Sequence, residues 1–214
     1  MNDSRITVTY VTSNEFKISE NRILHESGLL DSGCEIREKF DFDIREIGMK
    51  EKLEISLEKL VESEVVDAYY KLRLPCIVEH AGLIFIDHMK SEYPGGLTKP
   101  MWNSLGDKFV DETQSAGRPA IARAVVAYCD GKNVYTFVGD TEGTIAESPR
   151  GRHEFYWDTV FIPQENNEQH LTYAEIINDS NLGLNYKVLN ISQSTKAIKR
   201  FLEWRLTNNP ELWN

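Results

Sequence analysis

Long apolar runs are missing from these 214 residues, and none approaches the roughly 18 that a membrane-spanning helix requires. The opening Met-Asn-Asp-Ser lacks the charged and apolar segments of a secretory leader, so a cytoplasmic setting with no membrane contact is expected. Cysteine is scarce. Cys34, Cys76 and Cys129 are odd in number, widely spaced and in no Cys-x-x-Cys unit, which argues against a disulfide framework or zinc site and for core thiols. Positive charge is also short, with 24 Lys+Arg against 34 Asp+Glu and a net charge of −10. A sequence-independent grip on nucleic acid rests on excess Lys and Arg, so that class is set aside. A phosphate ligand is not, because a few amides, one or two lysines and a metal can hold one against the global field.

There is ample material for a core: 41% of residues are hydrophobic and 10% aromatic. The length fits one α/β domain spanning residues 1–214, and internal repeats and low-complexity stretches are absent. Ile6 to Val11 alternates as a strand, Thr12-Ser13-Asn14 breaks it, and Glu15 to Ser27 carries Phe16, Ile23 and Leu24 at helical spacing. A second strand is expected over Glu35 to Phe40. A long helix is expected over Lys52 to Leu72, with Leu53, Leu57, Leu60, Val61 and Val65 on one face. Pro75 ends it, and the short strand Cys76-Ile77-Val78 delivers Glu79 and His80 at its end. A helix follows over Lys99 to Val110. Two strands, Ala120 to Cys129 and Val134 to Ala146, flank the hairpin signal Asp130-Gly131-Lys132-Asn133. Thr159 to Ile162 reads as a strand, Gln164 to His170 as a mobile loop, and Ser192 to Leu206 as a helix with Ile198, Phe201, Leu202 and Leu206 inward. The fold class is therefore α/β, a mixed twisted sheet flanked by helices.

Several residue groups are suited to chemistry. Thr12, Ser13 and Asn14 with Lys17 stand where a strand passes into a helix, which suits an anion but equally suits an ordinary N-cap. Glu54 and Glu79 are candidates for magnesium, which takes oxygen ligands, or are merely a solvated charge and a strand-end acid. His80 is either a base near neutral pH or a hydrogen-bonded strand-end histidine. Phe155, Tyr156, Trp157 and Asp158 can stack and read a flat ring, or fill a core.

In order along the chain, these pieces resemble the inosine triphosphate pyrophosphatase family, which removes deaminated purine nucleotides. Its opening Thr/Ser-x-Asn-x-x-Lys-x-x-Glu is matched by Thr12, Asn14, Lys17 and Glu20, and its acid before Ile-Ser by Glu54-Ile55-Ser56. Its paired acids before Ser-Gly-Leu align with Glu79-His80-Ala81-Gly82-Leu83, and its Pro-Gly turn and lysine with Pro94, Gly95 and Lys99. Pro149-Arg150-Gly151, the run Phe155 to Thr159, Thr172-Tyr173-Ala174-Glu175 and Ser192-Gln193-Ser194 match the remaining motifs.

The resemblance implies a two-lobed fold with a central nucleotide cleft. In it Thr12, Ser13, Asn14, Lys17 and Lys99 would cradle a triphosphate, and Glu54 and Glu79 would hold Mg2+. Phe155, Trp157, Asp158, Lys187, Ser192 and Gln193 would frame the base, and Glu79 with His80 would be catalytic. The departures are specific. His80 stands where the second acid belongs, Gln193-Ser194 replaces the base-reading His-Arg, Tyr156 replaces a glycine, Thr159 a proline, and Lys187 lies one residue out of register.

Two readings follow. In one, losses at both ends of the site leave a catalytically impaired protein that binds ITP, dITP or XTP and signals occupancy to an effector protein, as in an antiviral or stress-signalling system. In the other, it is an active magnesium-dependent pyrophosphohydrolase. A homodimer is expected in either case.

Overall fold

The computed structural model describes residues 5–49, 52–152 and 156–208. Its centre is one six-stranded sheet in the order β2-β1-β3-β4-β5-β6. Strand β1 (Ile6–Val11) leads through α1 (Glu15–Ser27) and the single turn α2 (Ile36–Lys39) to β2 (Phe40–Arg45), which pairs with it in parallel. After α3 (Leu57–Leu72) comes β3 (Cys76–Phe85), parallel to β1 but joined to it at one register pair, Tyr10 with Ile77. Two short helices, α4 (Thr98–Leu105) and α5 (Phe109–Glu112), precede an antiparallel meander. Its strands are β4 (Pro119–Cys129), β5 (Val134–Ile145) and β6 (Phe161–Pro163). Helices α6 (Tyr173–Asn178), α7 (Gly183–Tyr186) and α8 (Gln193–Thr207) complete the fold. The expected mixed sheet flanked by helices is what forms.

Strand alternation assigns the faces. Val8, Tyr10, Ile77, Ala124 and Val126 pack under α1 and α8 through Leu24, Ile198 and Phe201. Val11, Val78, Val125 and Ala127 pack on the other face against Leu57, Val61, Val65 and Ala68 of α3. A third cluster gathers Leu83, Phe85, Ala122 and Ile145 with Trp102, Trp157, Phe161 and Tyr173. Cys76 and Cys129 are buried core thiols facing each other in the β3–β4 register, and Cys34 is half-buried; all three are free.

Several boundaries differ from expectation. Residues 36–39 are helical and the strand is Phe40–Arg45, because Phe40, Phe42 and Ile44 carry the two-residue alternation that Glu35 to Lys39 lacks. Helix α3 begins only at Leu57 after its cap Ser56, and Leu53, expected on its apolar face, is 78% exposed. The Lys99 to Val110 helix is broken at Gly106, whose φ of 54° ends α4. Leu206 is partly exposed near the end of α8. The polar loop expected to be mobile is pinned. Asn167, 8% exposed, donates to the Pro163 and Leu171 carbonyls and accepts from the Leu171 amide.

The most consequential difference is β3. It does not stop at Val78 but continues to Phe85, ten residues in all, so Glu79 and His80 lie mid-strand and point to opposite faces. Beyond Ile77 this strand has no partner in β1, whose chain turns away at Thr12. Residues 93–98 cover the far part of that edge: Phe85 N–H donates to the Tyr93 carbonyl, and Leu83 N–H to Thr98 Oγ1 at 2.9 Å. The turn fits because a Cβ on Gly82 would stand 2.2 Å from the Gly95 oxygen, and one on Gly96 2.2 Å from the Glu54 oxygen. Substituting Gly82→Ala forces this turn off the strand, and we expect a loss of about 1–3 kcal/mol of stability, measured as a lowered urea midpoint.

Candidate functional site

Where β1 ends and β3 continues, the sheet opens into a cavity of about 540 Å³, a size typical of small-ligand sites. Thr12, Ser13, Asn14 and Lys17 line it from the β1–α1 turn, and Val78 to Ala81 from β3. Glu64 of α3, Lys99 of α4, and Tyr156 with Trp157 contribute further walls. Of the sequence-predicted residues, the structure thus brings Thr12, Ser13, Asn14, Lys17, Glu79, His80, Lys99 and Trp157 to one cavity. Glu54, Asp158, Lys187, Ser192 and Gln193 do not line it, and Phe155 lies outside the described residues.

Asn14 serves as the ordinary cap. Its Oδ1 accepts from the amides of Phe16 and Lys17 at 2.9 and 3.3 Å, and its own amide donates to Thr12 Oγ1. The cap and anion readings are compatible, because capping fixes the positive end of a 13-residue helix against the cavity. Lys17 adds a cation there. Its Nζ donates to the backbone oxygen of Glu79 at 2.5 Å, satisfying a carbonyl that the departing β1 leaves without a strand partner.

Glu79 is the most constrained carboxylate of the site. Its side chain is 1% exposed and stands 3.6 Å from Lys17 Nζ. Tyr10 OH donates to Oε2 at 2.6 Å and Ser194 Oγ to Oε1 at 2.8 Å. Burial by itself would raise its pKa. The Lys17 ammonium and the two hydroxyl donors outweigh burial and hold the carboxyl below the usual carboxylate value. Burial, then the neighbouring Glu79 charge, keeps the Tyr10 phenol protonated and able to donate.

On the opposite face of β3, His80 Nε2 meets Glu64 Oε2 at 2.6 Å. The Glu64 side chain is only 8% exposed while the histidine is 31% exposed. Sequence reading missed Glu64, although an acid between Leu60, Val61 and Val65 on the buried stripe of α3 was a visible anomaly. It also missed Tyr10, which reads as an apolar strand residue.

The residues expected to hold magnesium do not fit a preformed site. Both Glu79 oxygens are engaged, and Glu54 Oε1 accepts from the Ser56 amide at 3.1 Å. Among the described residues no group of three His, Cys, Asp or Glu is arranged for a metal.

Apart from Trp157, the described residues expected around the base are gathered elsewhere. Lys187, 2% exposed, pairs with Asp158 Oδ2 at 2.7 Å and Glu20 Oε1 at 2.9 Å, and its ammonium lies 4.9 Å from the Tyr173 ring centre. Burial would lower the lysine, but Asp158 and Glu20 outweigh it and keep it charged. Among the described residues, the buried Asp158 Oδ1 has no hydrogen-bond partner. Gln193 Oε1 accepts from Tyr173 OH, and Ser192 caps α8. Trp157 is packed against Phe161 and Tyr173.

A family model, the Ham1 family, matches residues 8–204. The chain belongs to the Ham1 family. It is similar to the dITP/XTP pyrophosphatase of Methanopyrus kandleri, 34% identical over 161 residues, covering 72% of this chain and 79% of that protein. The dITP/XTP pyrophosphatase of Methanosarcina acetivorans is 29% identical over 200 residues, covering 92% and 96%. A solved HAM1 protein from Coxiella burnetii has the same fold at a TM-score of 0.62 and 15% identity, covering 93% of this chain and 99% of its own. The fold and the family expected from the motifs are therefore established. Among the described residues no helix is long and apolar enough to cross a membrane.

The clamp around Glu79 has a pH signature. Because its folded pKa lies below the ordinary value of 4.5, the ionised carboxylate stabilises the fold at neutral pH. That contribution is lost as pH falls from the ordinary value through the lower folded one. Glu79→Gln is expected to be less stable than the parent at pH 7 by about 1–3 kcal/mol. The gap should shrink below about pH 4.5, read from urea midpoints across pH.

Proposed function

We propose that this protein hydrolyses a deaminated purine nucleoside triphosphate, of the ITP, dITP or XTP type, to the monophosphate and pyrophosphate. The observation that carries this reading is the convergence on one cavity of a helix N-terminus, Lys17 and Lys99 with a histidine held by a buried acid. The cations and amides suit the phosphates, and neutralising them favours displacement at phosphorus. His80, whose imidazole can accept a proton, takes the place of the missing second acid.

The names of the relatives, dITP/XTP pyrophosphatases, support the same substrate class. Magnesium belongs to this reading as the companion of the triphosphate, and no step is assigned to it.

A second reading, an impaired protein that binds such nucleotides and reports occupancy to an effector, draws on the full engagement of Glu79 by Tyr10, Ser194 and Lys17. These contacts compete with metal or water for the carboxylate oxygens. A homodimer is part of either reading and is tested by the mass of the protein in solution.

The deciding experiment incubates the protein with dITP and magnesium and follows pyrophosphate and dIMP, with dATP as the comparison. Equimolar products, faster from dITP than from dATP, are expected. Saturable binding of dITP without product would replace hydrolysis by the second reading, and neither binding nor product would overturn both. Lys17→Ala is expected to weaken nucleotide binding by about 10- to 100-fold, the equivalent of one charge-assisted hydrogen bond, measured by calorimetric titration.

A further inference from the structure

Glu64 is not explained by the fold. It occupies the buried stripe of α3 between Leu60, Val61 and Val65, where an apolar side chain would pack better against the sheet. An acid there is costly unless paired, and its partner is the ring of His80, whose Nε2 lies 2.6 Å from Oε2. His80 stands on the cavity wall with Asn14, Lys17 and Lys99, and the Glu64 contact takes only one of its two ring nitrogens. A buried carboxylate accepting from Nε2–H fixes the ring plane and makes Nδ1 the lone-pair nitrogen.

We propose that Glu64 is a positioning residue that holds the His80 ring with Nδ1 bare, so that the pair replaces the second strand acid as the group activating water. The proposal rests on the hydrolytic reading above. The water oxygen bonds to the α-phosphorus as its proton passes to His80 Nδ1. The bond from that phosphorus to the bridging oxygen breaks, and pyrophosphate leaves with the electron pair. The proton on His80 then passes to solvent, so that water and triphosphate are converted to monophosphate, pyrophosphate and a proton. Glu64, although it also lines the cavity, takes no proton from the water. It acts by orienting the ring and stabilising the imidazolium that forms.

The test uses the full chain and two readouts. In protein labelled with 15N-histidine and free of nucleotide, His80 is expected to show an Nε2–H proton shifted downfield and protected from exchange. His80→Gln assigns the signal among the five histidines. Glu64→Met, which keeps the volume and restores an apolar stripe, should abolish that signal without lowering the melting temperature. For dITP hydrolysis, Glu64→Met should lower kcat by about 100-fold or more, the scale of general-base catalysis, with KM unchanged. Glu64→Asp should recover part of the loss. Glu62→Gln, on the exposed side of α3, should match the parent in both readouts.

Persistence of the protected proton in Glu64→Met, or its absence from the parent, overturns the positioning role whatever the activity. A kcat unaffected by Glu64→Met overturns the base role. A parent that shows the proton but makes no pyrophosphate overturns the hydrolytic reading and the base role with it, while leaving the ring contact confirmed.

Discussion

The buried carboxylate of Glu79 is the interaction on which the rest of the site depends. Its partners come from three separate elements: Tyr10 from β1, Lys17 from α1 and Ser194 from α8. Each satisfies part of a charge that would otherwise be prohibitive inside the sheet. The same contacts fix the cavity. Lys17 is drawn to the end of β1 by both the carboxylate and the carbonyl of Glu79, and the α1 cap is set against the opening where β1 and β3 part. An acid that serves as the keystone between two helices and two strands is a structural element first. The residue beside it, His80, faces the other side of the sheet and meets Glu64.

Much of the fold was legible because the periodicities were strong. Strand β1, helix α1 and the β4–β5 hairpin are found where alternation, capping and the Asp130-Gly131 turn place them. The errors came where composition and periodicity disagreed. Glu79 and His80 were expected at a strand end because two charged or polar residues interrupt an apolar run. Alternation carries the strand through them instead, one to each side of the sheet, where a partner waits for each. Glu64 was missed because the helical pattern was read for its apolar members, and its one exception was passed over.

The motifs that carried the family resemblance divide into two kinds. Thr12, Asn14 and Lys17 line the cavity, but Pro149-Arg150-Gly151 and Thr172 to Glu175 mainly hold each other. Thr172 Oγ1 donates to the Arg150 carbonyl, the Arg150 guanidinium pairs with Glu175 at 3.2 Å, and Gly151 leaves no room for a Cβ beside Ala174. Thr172 and Glu175 also close a capping box on α6. A motif in one sequence does not say whether it faces a ligand or its own chain. The positions where this protein departs from the pattern fall in both kinds. Ser194, in place of a base-reading residue, is bound to Glu79, and Gln193 to Tyr173.

The distance along the chain between the partners of Glu79 has a consequence for how the molecule is made. The β4–β5 hairpin joins neighbouring strands through a short connection, whereas the Glu79–Ser194 contact spans 115 residues. Loop-closure entropy places such a contact late in folding, after the local pairings have formed. Until α8 docks on the sheet, the Glu79 carboxylate lacks its Ser194 donor, so the completion of this buried clamp waits on the longest-range of its contacts.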